Sequence, residues 1–204
     1  MQKDSYKILS YKVKHNYNVD DFLLSYRSLL QKAIDSIWEN IAWVEKREER
    51  CYEVESGRKR KKRRYQIKRL IPELPKTREF KNQLRKELLK GWVYASHYVD
   101  SAIKVAYSIL KSWKRNYLEG ERRRERPTVK KLFARVKETL YTYKNGKINV
   151  TIVPRKLYLE LDLSKAWFKN KVKGLDLGEL ILTRNELLIT FRRPKEEKNH
   201  TECI

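Results

Sequence analysis

Apolar residues first alternate with polar ones and then recur every three or four positions, which predicts a strand followed by a helix. Residues 5–14 (SYKILSYKVK) alternate loosely in the way that a half-buried strand does. From Phe22 to Val44 the apolar residues keep the spacing of one helical face. Asn18 can cap this helix, and Asp20 in its first turn favours the same start.

A second helical pattern occupies the middle of the chain. Thr77 can cap it, its apolar face runs from Phe80 to Tyr117, and Gly120 ends it. Some forty residues is long for one globular helix, so we expect a bend or a helix-turn-helix joint at Gly91 or near 96–97.

The hydrophobic period changes from 3.6 to 2 after the basic segment 119–127 (EGERRRERP), and the rest of the chain reads as sheet. Asn145-Gly146 is the residue pair that a type I′ turn prefers, so it predicts a β-hairpin. The predicted strands are 139–144, 147–153, 158–163, and the two halves of 179–192, which turn near Arg184-Asn185.

The order of the elements predicts an α+β fold. A lone first strand must pair with the later ones, so we expect a small antiparallel OB-like β-barrel with a helix bundle inserted after its first strand. The predicted domains are a barrel formed by 1–17 and 121–193, an inserted helical domain at 18–120 with a basic loop at 56–66, and a disordered tail at 194–204.

The charge indicates what the protein binds. The chain has 204 residues, and 49 Lys and Arg against 26 Asp and Glu give a formal net charge of +23. Such a body attracts polyanions, and nucleic acid is the first candidate. We expect no membrane partner, because there is no apolar segment of about 20 residues, signal peptide, acylation motif or terminal basic amphipathic helix. The predicted location is cytoplasmic, and the charged, Met-poor composition resembles that of thermophile proteins.

Two basic clusters and one aromatic pair are the candidate nucleic-acid-binding residues. The first cluster is a run of seven cations that repel one another unless a polyanion neutralises them, so it predicts a mobile loop or an exposed helix end. The second lies at the junction of helix and sheet. In the pair Trp167-Phe168, one ring could stack on a base while the other packs. The full set is Arg58, Lys59, Arg60, Lys61, Lys62, Arg63, Arg64, Arg122, Arg123, Arg124, Arg126, Lys130, Lys131, Arg135, Lys165, Trp167, Lys169 and Lys171.

Enzyme signatures are sparse, and we predict no catalytic residue, no metal site and no cofactor. The three His residues are scattered, and Cys51 and Cys203 lack partners at metal-ligand spacing. Asp176 in GLDLGE invites comparison with a nuclease carboxylate, but such a site needs several acids from separate elements. We interpret Asp176 as a turn or cap residue.

The segments 102–120 (AIKVAYSILKSWKRNYLEG) and 126–193 (RPTVKKLFARVKETLYTYKNGKINV and onward to TFRR) resemble the N-terminal half of archaeal TnpB (OrfB) proteins. These are transposon-encoded relatives of type V CRISPR effectors. The resemblance implies an OB-like wedge barrel with an inserted helical recognition domain, and binding to a guide RNA and to target DNA. Family members continue into a RuvC nuclease domain and usually a zinc ribbon. This sequence contains neither, so no catalytic residue carries over.

The sequence therefore predicts a nucleic-acid-binding module that is non-catalytic alone, with guide RNA and DNA as partners. Two alternatives remain. One is a DNA-binding repressor with a helix-turn-helix within 77–120. The other is an accessory subunit that completes a nuclease supplied by a separate RuvC-containing chain.

Overall fold

The computed structural model describes residues 6–56 and 59–194, which form a mixed α+β fold. In this part of the chain a first strand precedes three helices, and a two-stranded hairpin separates the first helix from the second. The helices are α1 (Asp20–Glu39), α2 (Arg78–Leu89) and α3 (His97–Glu119). The strands are β1 (Tyr6–Lys14), β2 (Ala42–Ser56), β3 (Lys59–Glu73), β4 (Ala134–Val136), β5 (Tyr141–Lys144), β6 (Lys147–Val153), β7 (Leu157–Asp162), β8 (Asp176–Leu182) and β9 (Glu186–Pro194).

The strands form three antiparallel sheets. One has the order β1-β9-β8-β4, another β5-β6-β7, and the third consists of β2 and β3. The first strand pairs with the last along its whole length, from Tyr6 opposite Pro194 to Lys14 opposite Glu186. The helices are thus inserted between two neighbouring strands of one sheet, in agreement with the predicted order of elements.

None of the sheets in the described residues closes into a barrel, so the predicted OB-like barrel is not confirmed. Closure requires the edge strands of a sheet to find partners. The edge strand β4 has only three residues, and a 3-10 turn at Glu138–Leu140 then leads the chain into the separate sheet that begins with β5.

Helix α1 ends at Glu39, earlier than the predicted end near Val44. The N–H of Asn40 reaches the carbonyl of Ile37 at 3.2 Å, and the Asn40 side chain donates to the carbonyl of Ser36 at 2.9 Å. These bonds satisfy carbonyls at the end of the helix, and the chain continues as strand β2. The apolar residues after the cap belong to a strand, a distinction that five residues of periodicity cannot make. At the other end the cap position is Val19, one residue after the predicted Asn18.

The predicted long helix at 77–117 is two helices joined by residues 90–96. Thr77 caps α2 by accepting a hydrogen bond from the Phe80 N–H at 3.3 Å, as predicted. Gly91 has a φ of 74°, which other residues adopt only with strain, and it breaks the helix at one of the two predicted positions. Gly120 ends α3 as predicted, in the left-handed conformation.

The predicted basic loop at 56–66 is instead the outer part of a long hairpin. Strands β2 and β3 have 15 residues each and pair from Ala42 opposite Glu73 to Ser56 opposite Lys59. Residues 57 and 58 lie outside the described part. The loop prediction rested on repulsion within the cationic run, but the glutamates of β2 lie across from it and offset that repulsion.

The remaining strand predictions are confirmed in position and type. Strands β5 and β6 turn at Asn145 and Gly146, whose φ values of 51° and 76° are those that a type I′ turn requires. Strands β8 and β9 turn at residues 183–185, and β7 coincides with the predicted strand at 158–163. The three-residue strand β4 was not predicted. The predicted disordered tail, apart from Pro194, lies outside the described residues.

The core is one continuous cluster formed by α1, α3 and the inner sides of the two larger sheets. Tyr26 and Tyr98 are fully buried in it, and so is Ser101. The Ser101 hydroxyl donates to the carbonyl of Arg135 at 2.7 Å, and the Tyr98 hydroxyl to that of Thr151 at 3.0 Å. In the described part of the chain, no helix combines the length and apolar character needed to cross a bilayer.

Candidate nucleic-acid interface

The segment between α3 and β4, residues 121–133, is held against the helices by buried polar contacts. Gln31 of α1 accepts a hydrogen bond from the Val129 N–H at 2.8 Å and donates to the carbonyl of Pro127 at 3.3 Å. The indole N–H of Trp113 on α3 donates to the carbonyl of Arg123 at 3.3 Å. The basic residues of this segment therefore project from a backbone that is fixed at both ends.

This segment and α3 enclose the arginine groove, a cleft of about 540 Å³. Four predicted binding residues line it, namely Arg122, Arg123, Arg126 and Lys130. Arg126 forms an ion pair with Asp35 of α1, with a distance of 3.3 Å between Nε and Oδ1. In the part of the chain that the structure describes, the other three lie in no ion pair, although Glu125 also lines the groove. The groove thus carries excess positive charge.

Two arginines of the second cluster make contacts that hold the fold together. The guanidinium of Arg124 lies over the ring of Trp43, 3.8 Å from its centroid. Arg135 lies in β4, is largely buried and pairs with Glu179 of β8. Neither lines the arginine groove. The remaining member, Lys131, is exposed on the same segment.

A second basic cleft, of about 630 Å³, lies on another face of α3, and the sequence analysis did not identify it. Its cations are Lys76, Lys81, Lys104, Lys111 and Arg135. Two acids offset part of this charge, because Lys104 pairs with Glu179 at 3.0 Å and Arg85 with Asp100 at 2.7 Å. The repeat of cations at 104, 111 and 115 along one stripe of α3 is the signal that could have found it.

The crowding of cations near this second cleft affects one lysine in particular. Partial burial lowers the pKa of the Lys137 ammonium, and the neighbouring charges of Lys104, Arg85 and Arg135 lower it further, while Asp100 opposes them. A bound anion would relieve this repulsion.

The aromatic pair divides into one packed ring and one exposed ring. Phe168 is 1% exposed and stacks on Tyr11 with 4.4 Å between ring centroids. Trp167 is 72% exposed and meets Tyr11 edge-on at 5.4 Å. The Lys171 ammonium lies 4.8 Å from the Trp167 centroid, and the nearby Lys165 and Lys169 are exposed. This geometry leaves much of the Trp167 ring accessible to a base.

The first basic cluster lies in the hairpin. Residues 59–64 belong to β3, and Arg58 lies outside the described part. The exposed guanidinium of Arg64 approaches Glu49 at 3.6 Å. The sequence predicted this charge but not the strand that carries it.

Asp176, interpreted from the sequence as a turn or cap residue, is the exposed first residue of β8. It pairs in register with Arg192 of β9. Its position at the start of a strand is consistent with a structural role, although the element differs from the predicted turn.

Comparison with known proteins gave two relatives and one family model. The model described as the Uncharacterized protein MJ0013 family matches residues 22–151, which include the hairpin and the arginine groove. "TnpB-like protein MJ1635" of Methanocaldococcus jannaschii is 43% identical over 187 residues, 91% of this chain. "Uncharacterized protein MJ0013" of the same organism is 49% identical over 151 residues, 73% of this chain and 91% of that protein. The resemblance to TnpB-like proteins is thereby confirmed. The match spans 40% of the length of the TnpB-like relative.

Proposed function

Because the chain belongs to the MJ0013 family and is related to a TnpB-like protein, we propose that it is the nucleic-acid-binding module of a transposon-associated protein. Its ligands are a guide-type RNA and target DNA. In this proposal it binds and positions nucleic acid and supplies no catalytic group. Where base pairing supplies sequence recognition, a protein surface reads mainly backbone and shape, which suits a surface rich in Lys and Arg.

The arginine groove is the observation that carries the proposal. Arg122, Arg123 and Lys130 line a cleft whose backbone is fixed by Gln31 and Trp113. A guanidinium can donate two parallel hydrogen bonds to one phosphate, and a fixed backbone lowers the entropy lost when it does so. The groove therefore favours a phosphate backbone over an isolated small anion, since several cations line one continuous cleft.

The exposed Trp167 ring supports contact with unpaired bases. Stacking of a base on an aromatic ring contributes about 1–3 kcal/mol and tolerates any sequence. The neighbouring Lys165, Lys169 and Lys171 can hold the flanking phosphates. A single-stranded segment of RNA fits this combination better than duplex, whose bases are already stacked.

The geometry does not favour the repressor alternative. A DNA-binding helix-turn-helix joins its helices by a turn of about three or four residues. Residues 90–96 separate α2 from α3, and Val105, Ala106 and Leu110 of α3 are buried in the core. A separate nuclease-bearing chain remains a partner to seek by co-purification.

The proposal is tested by removing three charges from the groove. We expect the variant Arg122→Gln/Arg123→Gln/Lys130→Gln to bind a fluorescent single-stranded RNA about tenfold or more weakly than the wild type, because each lost phosphate contact also reduces counterion release. The measurement is fluorescence anisotropy at fixed salt.

The matched control removes three exposed cations of α2 and its end, Arg78→Gln/Lys86→Gln/Lys90→Gln. Both variants have the same net charge, so a purely general electrostatic effect lowers their affinities equally. Equal affinities of the two variants, or no binding by the wild type, would contradict the proposal.

A further inference from the structure

The hairpin of β2 and β3, called here the ribbon, has two faces of different charge. The two strands pair without a bulge over 15 residues, and directly opposite residues belong to the same face. At about 3.3 Å per residue the ribbon is roughly 50 Å long. In the described structure its strands pair only with each other.

The paired face contains acids and bases in nearly equal number. Lys68 forms an ion pair with Glu45 at 3.2 Å, and Arg64 with Glu49 at 3.6 Å. By register, the same face continues outward with two more acids and two more bases. Its charged positions are 45, 49, 53 and 55 for Glu, and 47, 60, 62, 64 and 68 for Lys or Arg.

The basic face contains a clear excess of cations. Lys46 lies directly opposite Arg69, a like-charge arrangement that destabilises an antiparallel pair. The Arg69 guanidinium donates to the Tyr117 carbonyl at 3.3 Å, and Lys46 is exposed. The charged register positions of this face are 46, 50, 59, 61, 63 and 69 for Lys or Arg, and 48 and 73 for Glu. Six cations against two acids leave this face in need of an anionic partner.

The base of the ribbon is fixed to the body of the protein. Trp43 packs edge-on against Trp113 at 6.1 Å and Tyr117 at 5.8 Å, and Pro72 opposite it is buried. Arg124 covers the ring of Trp43. An arm anchored in this way presents its basic face in a defined direction.

We propose that the basic face of the ribbon lies in the major groove of duplex DNA, an inference that rests on the proposed nucleic-acid-binding function. The major groove of B-DNA is about 12 Å wide and admits a two-stranded β-ribbon. The major groove of A-form RNA is deep and too narrow for side chains to read. Phosphates on both sides of the groove match a cationic face that continues along both strands of the ribbon.

Two triple variants at adjacent positions test this assignment. One removes three cations from the basic face, Lys46→Gln/Lys61→Gln/Arg63→Gln. The other removes three from the paired face, Arg47→Gln/Lys62→Gln/Arg64→Gln. Each takes one charge from β2 and two from β3, so net charge and position along the ribbon are matched.

We expect the basic-face variant to lose about tenfold more affinity for a short B-form DNA duplex than the paired-face variant does. We also expect methylation of guanine N7, which lies in the major groove, to interfere with binding of the wild type. Equal losses in the two variants, or the same difference with an A-form RNA duplex, would overturn the assignment. Circular dichroism and thermal unfolding confirm that both variants fold.

The outcomes separate this inference from the proposed function. If the wild type binds neither RNA nor DNA, the proposed function fails and the ribbon assignment fails with it. If the wild type binds and the arginine-groove variant is weakened, while the two ribbon variants bind duplex DNA equally, only the ribbon assignment is wrong.

Discussion

At the scale of single residues, three polar side chains connect the helices to the sheets inside the core. Ser101 bonds to the carbonyl of Arg135 and lies 3.2 Å from the Tyr26 hydroxyl. The Tyr98 hydroxyl bonds to the carbonyl of Thr151 in β6. Burial raises the pKa of the Tyr98 hydroxyl and of the Tyr26 hydroxyl above their ordinary values. Both groups therefore stay neutral in the folded state at a pH where they ionise in the unfolded chain.

Replacement of Tyr98 by Phe tests this connection. The change leaves the Thr151 carbonyl without its partner, so we expect the free energy of unfolding at neutral pH to fall by about 1–3 kcal/mol. Above about pH 10 the wild type loses stability as pH rises, because the unfolded state then binds fewer protons than the native state. Without the Tyr98 hydroxyl this decline is less steep, by up to about 1.4 kcal/mol per pH unit.

Urea unfolding at neutral and alkaline pH measures both effects of this substitution. The exposed Tyr143 provides the control, since Tyr143→Phe leaves the alkaline decline unchanged. An identical alkaline slope in Tyr98→Phe and the wild type would show that Tyr98 does not resist ionisation in the folded state.

The arginines show what residue identity does not reveal. Arg122 and Arg123 line the arginine groove, Arg124 covers Trp43, and Arg135 pairs with Glu179. The sequence predicted one cluster of equivalent cations at this junction. The separation of roles depends on Trp43 and Glu179, which are distant in sequence and are brought close only by the fold.

At the scale of elements, the sequence was most informative where the signals are local. The Asn145-Gly146 turn, the Thr77 cap and the Gly91 break each depend on a few neighbouring residues, and all are present in the structure. The pairing of the first strand with the last was also predicted, because an isolated strand is not stable.

The ribbon was missed because its stabilising contacts are not local. Residues 59–64 are all cations, and the glutamates that offset them precede them on the opposite strand. Read alone, such a run predicts a loop. Its base depends on Trp43, which packs with side chains from the far end of α3.

The anchoring of the ribbon by Trp43 is a prediction at this scale. Trp43 is half-buried, so we expect Trp43→Ala to lower the free energy of unfolding by about 2–3 kcal/mol, less than the range for a fully buried Trp. Hydrogen exchange should show loss of protection at the base of β2 and β3. The exposed Trp167 is the control, because Trp167→Ala should change stability by less than about 1 kcal/mol. Equal destabilisation by the two substitutions would argue against the anchor.

At the scale of the whole molecule, the net charge of +23 is distributed over several distinct surfaces. These are the arginine groove, the second cleft beside α3, the basic face of the ribbon and the lysines around Trp167. Sequence alone predicted the total charge and two of the clusters. It could not predict the groove, because a groove is formed by the approach of segments that are separate in the chain.

The central claim is that these surfaces bind nucleic acid through its phosphates, and the salt dependence of binding tests it most directly. The affinity of the wild type for duplex DNA is measured between about 50 and about 200 mM salt. The four cations of the arginine groove alone predict a slope of log K against log salt concentration of about −3.6 or steeper, at about −0.9 per neutralised phosphate. A slope near zero, or no binding at the low end of this range, would contradict the account.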